Sequence, residues 1–255
     1  MKGTLSTLDA AGNSSGGAGG APVRLRSRSR QLQDVAVAAG GELEEASATE
    51  IIRWAADTFG SKFCVASSMQ DTVLAHLAST AVPGVDVMFL DTGYHFAETI
   101  GTADAARTVL PINLVTVRPR QTVAEQDATL GADLFRRNPD LCCQLRKNAP
   151  LFRALRPYEA WATGARREES PARAATPVVS WDARRGKVRL APLARWTQQQ
   201  VDDYIAEHGL LTNPLLADGY PSIGCEPCTR PVAPGEDSRA GRWAGFAKTE
   251  CGINV

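Results

Sequence analysis

The sequence predicts an α/β fold: a doubly wound, mostly parallel sheet with helices on both faces, followed by a loop-rich C-terminal segment. Two observations carry this. Short apolar runs of strand length alternate with helical stretches from Ser47 to Gly209, the pattern of βαβ units. Beyond Leu211 the alternation stops, and Pro214, Pro221, Pro227, Pro231 and Pro234 punctuate a stretch without regular period.

Taken in order, SATEIIRWAADTFG opens the regular part. Ser47 and Glu50 stand at capping-box spacing, Ile51, Ala55 and Phe59 share a face, and Gly60 stops the helix. KFCVASS is a short apolar strand, and a helix follows from about Asp71. VDVMFLDT (Val85–Thr92) is a second buried strand, Phe96–Val109 a helix, and INLVTV (Ile112–Val117) a third strand. Gln121–Leu130 reads as helix, as does the segment after LCCQLRK up to about Arg156. YEAWATG (Tyr158–Gly164) is a further strand. VRLAPLARWTQQQVDDYIAEHG gives a strand, a turn, and a helix capped by Thr197. No internal repeat is present.

Bulk properties narrow the function classes. The chain has 255 residues, and its 28 basic and 28 acidic residues cancel, so no global field calls for nucleic acid. No apolar run approaches the roughly 18 residues of a membrane span, and the N-terminus lacks a secretory core segment. Six cysteines are too sparse for a disulfide scaffold and point to metal or catalysis in a reducing, cytoplasmic setting. Residues 1–33 read as a disordered Gly/Ser/Arg-rich tail: AGNSSGGAGGAP buries little, and RLRSRSRQ carries Arg24, Arg26, Arg28 and Arg30 without an acid. Such a leader also resembles a transit peptide. Residues 34–255 are expected to form a single domain, with 236–255 a mobile C-terminal segment. The oligomeric state is open, and a homo-oligomer is compatible with the chain.

Ligands of open α/β sheets bind at the carboxyl ends of the strands, and three such ends are polar here. SSMQDT (Ser67–Thr72) supplies small hydroxyl residues before a helix, where backbone N–H groups can meet an anion. LDTGYHFAET (Leu90–Thr99) has Asp91 at the strand tip and Gly93 at the turn. Either alone reads equally well as an ordinary capped βα turn; together they favour a nucleotide site. TGARREES (Thr163–Ser170) carries Arg166 and Arg167, suited to forked binding of phosphate or sulfate, or alternatively to surface pairs with Glu168 and Glu169.

The cysteines divide into three groups. Cys225 and Cys228 stand at C-x-x-C spacing, and with the adjacent pair Cys142 and Cys143 they make four thiols. Tetrahedral zinc, a redox dithiol and an iron–sulfur cluster compete, and the adjacent pair favours a cluster, whose separate irons can each take one neighbour. Cys64 lies in an apolar strand and reads as structural. Cys251, in KTECGINV, follows Lys248 and, farther back, Arg239 and Arg242, and a cationic setting favours nucleophilic thiolate.

From about Ser47 to its end the chain resembles the iron–sulfur-dependent adenylylsulfate reductases of assimilatory sulfate reduction. The residues that carry the resemblance are SSMQD, LDTGYHFAET, the CC-x3-K run, TGARREES, CEPC, EDSRAGRW and the terminal ECGIN. The resemblance implies an adenine-nucleotide-binding fold related to the ATP pyrophosphatases, whose SGGxDS loop is here Ser67-Ser68-Met69-Gln70-Asp71-Thr72; the lost double glycine speaks against ATP chemistry. It implies one [4Fe-4S] cluster on Cys142, Cys143, Cys225 and Cys228, and Cys251 as the nucleophile. It places Ser67, Ser68, Asp71, Thr92 and Gly93 at the substrate, with Lys147, Gly164, Arg166, Arg167, Arg239 and Arg242. Relatives that reduce the 3′-phosphorylated nucleotide typically lack the four paired cysteines, which favours adenylylsulfate as substrate. Two alternatives stand beside this: a 3′-phosphoadenylylsulfate reductase, and a zinc-stapled nucleotide-binding protein without turnover.

By the same resemblance, Cys251 takes the sulfonate as S-sulfocysteine, AMP leaves, and reduced thioredoxin releases sulfite. The chain ends at Val255 without a thioredoxin-like domain, so a separate donor is expected. Lys147, four residues after Cys143, would share its helix face and link cluster to sulfate. The C-terminal segment would act as a lid. Asn254 stands where the family commonly has histidine, which removes any titrating role there.

Overall fold

The computed structural model describes residues 20–253, with side chains from Arg28 onward. Residues 1–19 of the leader and Asn254 lie outside the described residues. A six-stranded sheet has the order β3-β2-β1-β4-β6-β5, formed by β1 (Phe63–Ser67), β2 (Val85–Leu90), β3 (Ile112–Val117), β4 (Ala160–Thr163), β5 (Val179–Asp182) and β6 (Lys187–Leu190). All neighbours pair in parallel except β5, which runs antiparallel along β6. The expected doubly wound sheet is therefore present. The edge strand β5 was not expected, because TPVVSWD sits in a Pro- and Arg-rich stretch.

The helices between strands follow the expected order. α2 (Ala48–Phe59) begins in a reciprocal box in which Glu50 N–H donates to Ser47 Oγ and Ser47 N–H donates to Glu50 Oε2 at 2.8 Å. α3 (Val73–Ala81), α4 (Ala97–Val109) and α5 (Val123–Leu130) follow β1, β2 and β3. α9 (Gln198–His208) has Thr197 as its cap and Gly209 in the left-handed region as its stop. Between α5 and β4 the short helices α6 (Leu134–Arg137), α7 (Pro139–Cys143) and α8 (Ala149–Ala154) are joined by a π turn over Gln144–Asn148. Turns of this kind recur at functional sites because the wider ladder re-aims side chains; this one buries both Arg146 and Lys147.

α1 (Gly20–Glu42) corrects the tail expected over residues 1–33 for its described part. Composition gave that segment little to bury, yet one face suffices: Leu32, Ala36 and Ala39 are at most 5% exposed within the main core, and the helix lies on β5 and β6. Arg28 forms an ion pair with Glu159, just before β4, and Lys62 Nζ lies 2.9 Å from the same carboxylate. The Arg28 hydrogen bond, against burial and with Lys62 adding to it, depresses the Glu159 carboxyl from 4.5 to about 2. A carboxyl depressed on folding contributes stability above its unfolded value and loses it as pH falls towards the folded one. Glu159→Gln is therefore expected to speed amide exchange over residues 28–42 at neutral pH, while costing less than about 1 kcal/mol globally because Arg28 is exposed. The difference from the parent should vanish as pH falls from 4.5 towards 2. An exchange pattern unchanged at neutral pH would show that the apolar face alone holds α1.

A second, smaller core fills the other face of the sheet, from Cys64, Met88, Leu151, Leu155 and Trp161. Burial pushes the Cys64 thiol pKa up, in keeping with its expected structural role. No helix among the described residues is long and apolar enough to cross a membrane.

Candidate active site

Strand order reverses between β1 and β4, and a cleft opens at their carboxyl ends, where the topology splays the following loops apart. Ser67, Ser68 and Asp71 line it from the first loop, and Gly164 and Arg166 from the loop after β4. The first loop is held by local bonds. Met69, buried and at φ 58°, donates its N–H to Ser67 Oγ at 3.3 Å. Asp71 Oδ1 accepts from Val73 N–H at 3.0 Å at the start of α3. Burial raises the Asp71 carboxyl pKa, opposed by that N–H and by Arg166.

Five cations line the same cleft: Lys147, Arg166, Arg173, Arg239 and Arg242. Ser222 Oγ accepts from Arg242 Nη1 at 3.1 Å and Arg239 Nη1 at 3.3 Å, which sets the two guanidinium groups side by side. Gly224 makes room for Arg242: a Cβ there would collide with its guanidinium group. Arg242 also stands 4.7 Å from the Trp243 ring, and its buried Nε has no partner. Lys147 makes no hydrogen bond or ion pair among the described residues. Burial alone would lower the pKa of its ammonium, but the sulfurs of Cys225, Cys251 and Cys143 outweigh that and raise it. A cation-rich, partly unpaired cleft of this kind needs an anion to complete it.

Cys142, Cys143, Cys225 and Cys228 line one small adjoining cavity, together with Tyr94, Arg146, Lys147, Arg242 and Trp243. All six cysteines of the chain are free thiols. Burial pushes Cys142 up to about 12 and Cys228 to about 11. No three Cys, His, Asp or Glu side chains among the described residues converge as a single-ion site would. Four thiols around one cavity, ringed by Arg146, Lys147 and Arg242, are the donor set that a negatively charged cluster taking one thiolate per iron would need. Lys147 lines both this cavity and the cleft, aimed there by the π turn rather than by the α-helical spacing from Cys143.

Three residues expected at the substrate lie elsewhere. Thr92 faces the cysteines, its Oγ1 3.2 Å from Cys225 Sγ. Gly93, at φ 75°, admits the buried Arg146, whose Nη2 would lie 2.9 Å from a Cβ there. Arg167 turns away to Glu44 Oε1 at 2.6 Å and Thr176 O at 2.9 Å, because its neighbour Arg166 is extended and adjacent side chains then point oppositely. Arg173, Ser222 and Glu250 were missed; no local pattern marks them, since each acts through partners distant in the chain.

The C-terminal segment folds over the cleft. Asn148 Nδ2 donates to Cys251 O at 3.1 Å, Arg185 Nη1 and Nη2 reach Ile253 O and Gly252 O at 3.4 and 3.5 Å, and Ile253 packs on the second core. Lys248 pairs with Asp140. Cys251 thus lines the cleft and also an outer groove with Asn148 and Arg184. The enclosed space is about 190 Å³, below the roughly 300 Å³ at which ligand pockets begin, because the tail fills part of it.

A model of the phosphoadenosine phosphosulfate reductase domain matches residues 62–231. An adenosine 5′-phosphosulfate reductase of Streptomyces coelicolor is 63% identical over 224 residues, covering 88% of this chain and 95% of that protein. One from Mycolicibacterium smegmatis is 53% identical over 229 residues, covering 90% and 97%. Among solved structures, a phosphoadenylyl-sulfate reductase from Candida auris in a phosphate complex superposes with a TM-score of 0.67 at 29% identity, over 78% of this chain and 97% of that one. An FMN adenylyltransferase of Candida glabrata shares the fold at a TM-score of 0.52 and 14% identity, over 82% and 72%.

Proposed function

The chain belongs to the phosphoadenosine phosphosulfate reductase family, and from that premise we propose that it reduces adenylylsulfate to sulfite and AMP in sulfate assimilation. The observation that carries the reading is the meeting of Cys251 with Lys147, Arg239 and Arg242 in one cleft at the sheet's switch point, beside four clustered thiols. The cleft residues Ser67, Ser68, Asp71, Gly164 and Arg166 would hold the nucleotide at the strand ends. The Cys251 thiolate attacks the sulfur of the phosphosulfate. A Cys251 S–S bond forms, the bond from sulfur to the bridging oxygen breaks, and AMP leaves with the electron pair. Lys147, Arg239 and Arg242 offset the repulsion between thiolate and sulfate. A thiolate of reduced thioredoxin then attacks Cys251 Sγ and expels sulfite with the pair. The second thioredoxin thiol resolves the mixed disulfide, restoring Cys251 and leaving thioredoxin oxidised by two electrons.

Cys142, Cys143, Cys225 and Cys228 would hold one [4Fe-4S] cluster, which supplies a fixed local charge beside Lys147 rather than a place for electrons, since the thiol exchange balances without it. Adenylylsulfate is favoured over its 3′-phosphorylated form by these four thiols and by the names of the Streptomyces and Mycolicibacterium relatives. Anaerobically purified protein is expected to release sulfite from adenylylsulfate at least tenfold faster than from the 3′-phosphorylated nucleotide when both compete in one thioredoxin-coupled assay. Equal or inverted rates would reassign the substrate, and a colourless protein with one bound zinc would remove the cluster.

A further inference from the structure

Glu250, the residue before the nucleophile, plays no part in the reaction written above, yet it is among the most tightly held side chains of the cleft. It is 7% exposed. Arg173 grips it with both arms of its fork, Nε at 2.7 Å from Oε1 and Nη2 at 2.8 Å from Oε2. Arg239 Nη2 lies 3.3 Å from Oε1, and Ser170 Oγ donates to the same oxygen at 3.4 Å. The remaining arm of Arg173, Nη1, reaches Glu169 Oε2 at 2.5 Å. Arg173 therefore carries two carboxylates, and its bidentate face, the geometry that best fits sulfate or phosphate, is taken by the chain's own tail. Arg239 is shared in the same way. A phosphosulfate entering the cleft brings a second anion to guanidinium groups that are already neutralised.

We propose that Glu250 is a positioning residue that stands in for the substrate's anion: it parks the Cys251 segment on Arg173 and Arg239 while the cleft is empty, and the phosphosulfate displaces it. The inference rests on the adenylylsulfate reading for the identity of the displacing ligand. The remaining anchors of the segment suit such an exchange. Asn148 holds the Cys251 carbonyl, Arg185 reaches the Gly252 and Ile253 carbonyls, Ile253 packs on the second core and Lys248 pairs with Asp140; none of these contacts uses Glu250, so all survive when Glu250 lets go. Substrate thus loosens the residue next to the nucleophile without discarding the nucleophile.

The test compares full-length Cys251→Ser protein, which cannot turn over, with the same protein carrying Glu250→Gln. Removing the internal competitor is expected to tighten adenylylsulfate about tenfold by calorimetry, the worth of one charge-assisted contact. Glu250→Asp, which keeps the charge, is expected within about threefold of the parent, which separates the role from mere packing. In the otherwise native enzyme, Glu250→Gln should lower KM without raising kcat. Inorganic sulfate, titrated at constant ionic strength, is the nucleotide-free probe and should also bind more tightly to the Gln variant. Affinities for both ligands that are unchanged or weaker in Glu250→Gln would overturn the proposal. If neither protein binds adenylylsulfate, the functional reading fails, and the sulfate titration alone still decides whether Glu250 occupies an anion seat.

Discussion

Cys251→Ser is expected to abolish sulfite release, by on the order of 10⁴-fold or more, because a serine hydroxyl has neither the ionisation nor the leaving-group chemistry of a thiol. The enzyme has no second candidate in place. Cys64 is fully buried in β1 with its pKa pushed up, and Cys142, Cys143, Cys225 and Cys228 line the neighbouring cavity, where burial also raises Cys142, Cys143 and Cys228. Among the six cysteines only Cys251 lines both the cleft and the outer groove, so it can meet a sulfate on one side and a protein thiol on the other. Parent protein incubated with adenylylsulfate and no reductant should gain one sulfonate on the Cys251 peptide, lost again on adding thioredoxin. The Ser variant should gain none while keeping its brown colour, whereas Cys228→Ser should lose the colour. An adduct on any other peptide would take the nucleophile's role from Cys251.

Where the sequence could be read, local chemistry did the work. Ser47 and Thr197 mark helix starts with side chains only a few residues away, and the apolar runs of β1 to β3 need no distant partner to be recognised. The cysteines were legible as a set because thiols in pairs have few other uses, and the structure does bring all four to one cavity. The misses share the opposite property. Arg173 and Glu250 are 77 residues apart and meet only through the fold. Arg166 and Arg167 are indistinguishable as letters, and only the extended backbone decides that one enters the cleft and the other turns to Glu44. Gly93 reads as a turn residue with a ligand nearby, but its missing side chain serves Arg146 instead. α1 was obscured by its arginines and glycines, since three small or apolar residues on one face are too few to see without the β5 and β6 surface that receives them.

Lys147→Gln is expected to slow transfer of the sulfonate to Cys251 by about 10² to 10³-fold, the size of losing one preorganised charge where charge develops. Two of the other cleft cations cannot easily substitute. Arg166 is committed to Gln198 Oε1 at 2.5 Å and the Trp196 carbonyl at 3.5 Å, and Arg173 keeps Glu169 on its Nη1 even when Glu250 leaves. Lys147 is 9% exposed and faces sulfur on one side and the cleft on the other, so its charge is desolvated and available to an incoming anion. Removing it leaves a thiolate to approach a sulfate with less compensation, at the point where the two negative charges are closest. Release of sulfite by thioredoxin from an adduct already formed involves no such approach, and should change less than about threefold. Rapid-quench measurement of the two half-reactions separates these effects. Equal losses in both would mean that Lys147 holds the segment or the cofactor rather than the sulfate, and retention of the visible spectrum in the Gln variant distinguishes those two. Lys147 lies between the four thiols and the cleft, and the sulfurs of Cys225, Cys251 and Cys143 outweigh burial and raise its pKa, which keeps the ammonium cationic where an anion would enter.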